Sequence, residues 1–171
     1  MIDPNASLSP RTVASAAILL FLPVMVTFAI SPGVWWANWP GILFHLALFL
    51  LVPKLQAPDW AKAAGYGWLL LDVTSGTMVL DGVPHAIADY VRLSGHIFAG
   101  IWIVTASLSG SLPVKITGFI GGGWLFVFTF ASRFLPFNSL GPASIIVLIW
   151  LGFIAWQNGT VPAVKSGTIR T

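Results

Sequence analysis

The sequence predicts an all-α, polytopic membrane protein: a bundle of six transmembrane helices built from three helical hairpins. Three observations predict it. Of the residues 57% are hydrophobic and 8% charged, with a mean hydropathy of +0.89, whereas a soluble domain carries about 25% charged residues. Most of this surface therefore cannot face water. Long uncharged runs recur from one end to the other, and the turns between them are short and rich in Pro, Gly and Trp.

Taken in order, residues 1–10 hold two prolines, Asp3 and Asn5, and read as a flexible tail. The first span is predicted over 12–30, TVASAAILLFLPVMVTFAI, close to the ~20 apolar residues that a bilayer core requires. Pro23 at its middle predicts a kink, tolerated because neighbouring helices satisfy the freed carbonyl. No basic n-region precedes this run, so it reads as a retained helix rather than a cleaved signal. SPGVWWANWP follows as a turn whose Trp35, Trp36 and Trp39 suit the headgroup level. The second span, 40–53, is short, and KLQAPDWAK leads to a third over 61–81 and a fourth over 84–108. After SGSLPVK the fifth covers 115–134. It carries Gly121-Gly122-Gly123, which would weaken a helix in water but in lipid reads as a packing face. The sixth covers 142–157, and 158–171 reads as a disordered tail.

Cysteine and Glu are both absent, which removes disulfides, thiolate nucleophiles and Cys-ligated metals. No HExxH, CxxC or nucleophile–base spacing is present, so no catalytic residue is assigned. The eight Lys and Arg exceed the five Asp by three charges, but they stand singly rather than on one basic face, which argues against nucleic acid. Six of them, Arg11, Lys54, Lys62, Lys115, Lys165 and Arg170, fall on one side of the predicted spans. Only Arg92 and Arg133 fall on the other. The positive-inside rule then puts both termini in the cytoplasm, in a multi-pass protein of the bacterial inner (cytoplasmic) membrane. The acceptor pattern at Asn158 falls on the inner side in this topology and carries no meaning.

The six spans read as three copies of one hairpin. Gly67-Trp68-Leu69 recurs as Gly123-Trp124-Leu125, and each second helix opens on a proline, Pro40, Pro84 or Pro142, a residue suited to a first helical turn. The pattern GWLLLDVTSG…P…RLSGHIFAGIWIV resembles the hairpin repeat of the HdeD-like family of bacterial acid-resistance membrane proteins. That resemblance implies six helices in Gly-rich hairpins with a proline in the turn. Ile30-Ser31-Pro32-Gly33-Val34-Trp35 is also similar to the Ser-Pro-Trp repeat membrane proteins, although here Pro and Trp are not adjacent. Neither family supplies a catalytic residue to carry over.

The hairpin 67–108 differs from the other two by its ionisable residues: Asp72, Asp81, His85, Asp89, Arg92 and His96. A charge in lipid costs roughly 3 kcal/mol on insertion scales and so marks a site or a buried pair. His85, Asp89, Arg92 and His96 follow one another at helical spacing and share one face. Asp89 and Arg92 can pair, and the stretch can equally be an amphipathic turn standing in the headgroups. Asp72 and His96 lie at equal sequence distance from Pro84, which predicts equal depth, near mid-membrane, and an Asp–His pair. Two readings stay open for it: a proton- or ligand-binding pair, or a polar clamp that holds the hairpin together. His45, at a depth similar to His96, adds the option of a bis-histidine haem site, although an apolar-helix histidine is more often a packing residue and no cofactor is predicted.

The function expected from these residues is a small integral membrane protein that binds a small molecule or proton in its bundle, as a transport or binding component. The alternatives are a structural accessory subunit whose Trp- and Gly-rich faces meet partner helices or pigments, and a haem carrier. Lipids are the expected surroundings, with membrane-protein partners or further copies of the chain as possible neighbours.

Overall fold

The structure, a computed structural model, describes residues 8–31 and 33–157. Among them it is all-helical, with six α-helices: α1 (Pro10–Ile30), α2 (Asn38–Leu51), α3 (Asp59–Leu80), α4 (His85–Ser107), α5 (Leu112–Ala131) and α6 (Gly141–Gln157). Single turns of 3-10 helix, Trp35–Ala37, Val52–Lys54 and Phe137–Leu140, adjoin the ends of α2 and the start of α6.

Local chemistry sets the helix ends. Ser9 caps α1, its Oγ accepting from the Thr12 amide at 3.1 Å, and Pro10 fills the first turn. Residues 8–10 thus belong to the helix start rather than to a tail. The remainder of both expected tails, and the Asn158 pattern, lie outside the described residues. Pro84 is the N-cap of α4 and not its first turn, while α5 begins at Leu112 with Pro113 in its opening turn, earlier than expected. It also ends earlier, at Ala131, and the Ser132 amide closes that end on the Phe128 carbonyl. Between α3 and α4, Gly82 takes φ +84°, a conformation that side chains beyond Cα resist.

The helices form an up-and-down ring. Each packs on the next in sequence, and α6 returns to pack on α1. Small residues permit the closest approach: a Cβ on Gly100 of α4 would stand 2.6 Å from the Gly122 carbonyl oxygen of α5. The glycine triplet is not one packing face. Gly121 faces Ile146 and Val147 of α6, Gly122 faces Ile103 of α4, and Gly123 meets nothing within 4 Å. Steps of about 100° around a helix cannot put three consecutive residues on one side.

Five helices, with their flanking turns, are long and apolar enough to cross a membrane. The sixth, α3, falls short of the six spans expected. It mixes Asp59, Lys62 and Asp72 with Gly65, Gly67, Thr74, Ser75, Gly76 and Thr77, and its hydropathy drops accordingly. It is nonetheless knit into the ring. Ser75 Oγ donates to the Ala88 carbonyl of α4 at 2.8 Å within the buried interior, and Thr129 of α5 donates likewise to the Leu93 carbonyl at 2.9 Å.

One half of the ring interior is dry. Leu48, Leu51 and Val52 close on Ala99, Trp102, Ile103, Val114 and Leu151. Trp150 Nε1 donates to Ser107 Oγ at 2.8 Å. The other half, beneath the α1/α2, α3/α4 and α5/α6 turns, contains a cavity.

Candidate functional site

The cavity measures about 500 Å³. Its two walls differ. Toward α1, α5 and α6 it is lined mainly by the apolar Phe21, Val24, Phe28, Leu125, Val147 and Leu148, with Thr27 and Ser144 among them, and toward α2, α3 and α4 by Asn38, His45, Asp72, Asp89, Arg92 and His96 beside Ile42, Phe44 and Trp68. Exposed His85 and Gly33 lie at the mouth. Trp68 forms part of the floor, and below it the rings continue: Trp68 to Trp102 at 5.8 Å, then Trp102 to Trp150 at 5.6 Å. Trp102 and Trp150 are fully buried.

The spacing of the α4 residues has the consequence expected of it, since all four line one cavity. Arg92 folds inward, with Nε 3.4 Å from Asp72 Oδ1, Nη1 3.5 Å from Asp89 Oδ1, and Nη2 donating to Asn38 Oδ1 at 3.3 Å. One guanidinium thus meets two carboxylates and an amide on three helices. A planar fork of donors suits this role, which a lysine could not fill.

Asp72 is 4% exposed and His96 6%, both turned to the bundle interior. They are not hydrogen-bonded to each other. Asp72 faces Arg92 through Oδ1, while its Oδ2 lies 3.7 Å from His45 Nε2. Both Asp72 Oδ2 and His96 Nδ1 are buried without a hydrogen-bond partner, as is Trp68 Nε1. Equal distance from Pro84 fixes depth but not azimuth, and α3 presents Asp72 toward α2 and toward Arg92, one turn before His96 on α4. Between α3 and α4 the polar links are this Asp72–Arg92 pair and the Ser75–Ala88 hydrogen bond. Asp81, in the α3/α4 turn, is exposed and takes no part.

His45 is held by its own helix, Nδ1 standing 2.7 Å from the Gly41 carbonyl oxygen, and its ring meets Phe44 and Trp68 edge-on at 4.8 and 5.6 Å. Its Nδ1 is thus engaged by a carbonyl, and its Nε2 is turned to the Asp72 carboxylate. Among the described residues no three His, Asp or Glu side chains are grouped to hold a metal ion.

The sequence did not point to Asn38, lost among the tryptophans of its turn. Its one signal was being the only amide in that turn. His45 was singled out only as a haem option, and its approach to Asp72 was not foreseen. No protein-family model, curated protein or solved structure matches the chain.

Proposed function

We propose that this chain is a small integral membrane protein, without catalytic chemistry of its own, that binds a small molecule or proton in its helix bundle. The observation that carries the proposal is the two-walled cavity. An apolar wall facing a wall of Arg, Asp and His suits a molecule with an apolar body and a polar head. The dry floor of Trp102 and Trp150 beneath a one-ended cavity favours a binding component over a conduit. In this reading α3 is the sixth span, its polar residues absorbed by the ring, and the chain lies in the cytoplasmic membrane with both termini inside. Arg92 folds inward, so Arg133 alone of the described cations is exposed at the mouth end, against Arg11, Lys54, Lys62 and Lys115 at the other. That asymmetry supports the orientation. The likeness to the HdeD-like family belongs to the same reading, through the six helices and Gly-rich hairpins.

The test is a binding screen on purified protein in nanodiscs, with small amphiphiles carrying hydroxyl, amine or carboxylate heads, read by thermal shift. We expect at least one head class to stabilise the wild type and to lose that effect in Asp72→Asn and Arg92→Gln variants that still fold. Uniform indifference to every head class removes the small-molecule part of the proposal. Reporter fusions after residue 171 are expected to be active in the cytoplasm, and activity confined to the periplasm reverses the topology.

A further inference from the structure

We propose that His45 and Asp72 together hold one proton, shared between His45 Nε2 and Asp72 Oδ2. This rests on reading the cavity as a binding site and names the pair of atoms at which its simplest ligand is held.

The tautomer comes first. A carbonyl oxygen can only accept, so the 2.7 Å approach of His45 Nδ1 to Gly41 O puts a hydrogen on Nδ1. In a neutral imidazole Nε2 then carries a lone pair. That lone pair stands 3.7 Å from Asp72 Oδ2, itself an acceptor when the carboxyl is ionised. Two acceptors facing each other across a buried gap repel. Oδ2 is buried and has no hydrogen-bond partner in the protein. A single hydrogen satisfies both atoms, whether it sits on Nε2 as an imidazolium or on Oδ2 as a carboxylic acid.

Charge counting reaches the same number independently. The groups facing the pair are Arg92 and His96 from α4, with Asp89 on the far side of the Arg92 guanidinium. Arg92 contributes one positive charge against the two negative charges of Asp72 and Asp89. With neutral histidines the cluster is one charge short of balance, and one proton closes it. Asp72 and His45 are more deeply buried than Arg92 and Asp89, which are about a quarter exposed, so a proton at that pair lowers the charge where solvation is poorest. Exchange is open through the cavity mouth, past His85 and Asp89, because His45 lines the cavity.

The experiment is ¹⁵N-histidine NMR on the full chain in nanodiscs at neutral pH, paired with infrared difference spectra between wild type and Asp72→Asn. The chain has three histidines, and the rings are assigned by the signals lost in His85→Gln and His96→Gln. We expect His45 to show hydrogen at Nδ1 and a hydrogen-bonded Nε2. That appears either as an imidazolium or as an acceptor from a protonated Asp72, whose carboxylic acid band vanishes in the variant. In Asp72→Asn the amide donates in the proton's place, so His45 becomes neutral and the chain holds one proton fewer. A wild-type His45 with a free Nε2 beside an ionised Asp72 overturns the proposal, and this reading needs no variant to fold. The amphiphile screen is separate: a bound head group with no shared proton sinks this inference alone, and a shared proton without amphiphile binding sinks only the small-molecule reading.

Discussion

The second hairpin, α3 and α4, and the third, α5 and α6, can be laid in register on Gly67-Trp68-Leu69 and Gly123-Trp124-Leu125. Leu69 and Leu125 are both buried. Trp68 is 3% exposed and lines the cavity floor, while Trp124 is 37% exposed and its indole donates to the Ser139 carbonyl at 2.9 Å. One turn further, Asp72 stands where Phe128 stands, and both are buried. Registered on Pro84 and Pro142 instead, Arg92 matches Trp150 and His96 matches Ile154, again all turned inward. The same inward positions are thus filled with dispersion partners in one hairpin and with ionisable groups in the other. A scaffold that packs with Phe, Trp and Ile has no structural need for Asp, Arg and His. This contrast supports the proposed binding role of the second hairpin.

The largest effect that tests this contrast is at Asp72. Asp72→Ala leaves Arg92 with Asp89 alone and His45 facing no carboxylate, and loss of one member of a buried pair costs about 3 kcal/mol. Asp72→Asn retains a hydrogen-bonding group and is expected to fold better while abolishing proton-linked behaviour. Thermal melts of both in detergent check this. Equal losses would make Asp72 a matter of shape, like Phe128.

Ser107→Ala probes the dry side. It removes the acceptor of Trp150 Nε1, leaving a buried donor unpaired at a cost of about 2 kcal/mol, with amphiphile binding untouched. A fall in binding equal to that of the Asp72 variants would dissolve the division between the two halves.

A smaller effect separates partners within the site. A double-mutant cycle of His45→Ala with Asp72→Ala is expected to depart from additivity by about 1 kcal/mol, and the cycle of His96→Ala with Asp72→Ala by less than ~0.5. The reverse ranking would restore the Asp72–His96 pair that depth alone suggested.

The helices and their order were legible in the sequence. Apolar runs, proline helix starts and charges stranded in lipid are strong local signals. The shared face of His85, Asp89, Arg92 and His96 was legible too, because helical spacing is local geometry. The partners were not. Asp72 and His96 are level but point past each other, and azimuth depends on how α2, α3 and α4 dock, which no count of residues from Pro84 contains. The contacts of Arg92 with Asp72 and Asn38 were not legible for a related reason. Its long side chain reaches far beyond its own turn, so its Cα position says little about where its charge resides. The glycine triplet misled by appearing as one feature when its members face three ways.

The packed indoles beneath the cavity have an electrical consequence. If the bundle spans a bilayer, a cavity wet from its mouth conducts the potential of that compartment down to Asp72. The transmembrane voltage then falls across the unbroken apolar layer of Trp102, Trp150 and their neighbours. A full crossing would couple a charge to the field by about 2.3 kcal/mol per 100 mV, but a proton travelling only from mouth to Asp72 crosses little of that drop. Its occupancy would report the composition of one compartment and be nearly indifferent to the energised state of the membrane.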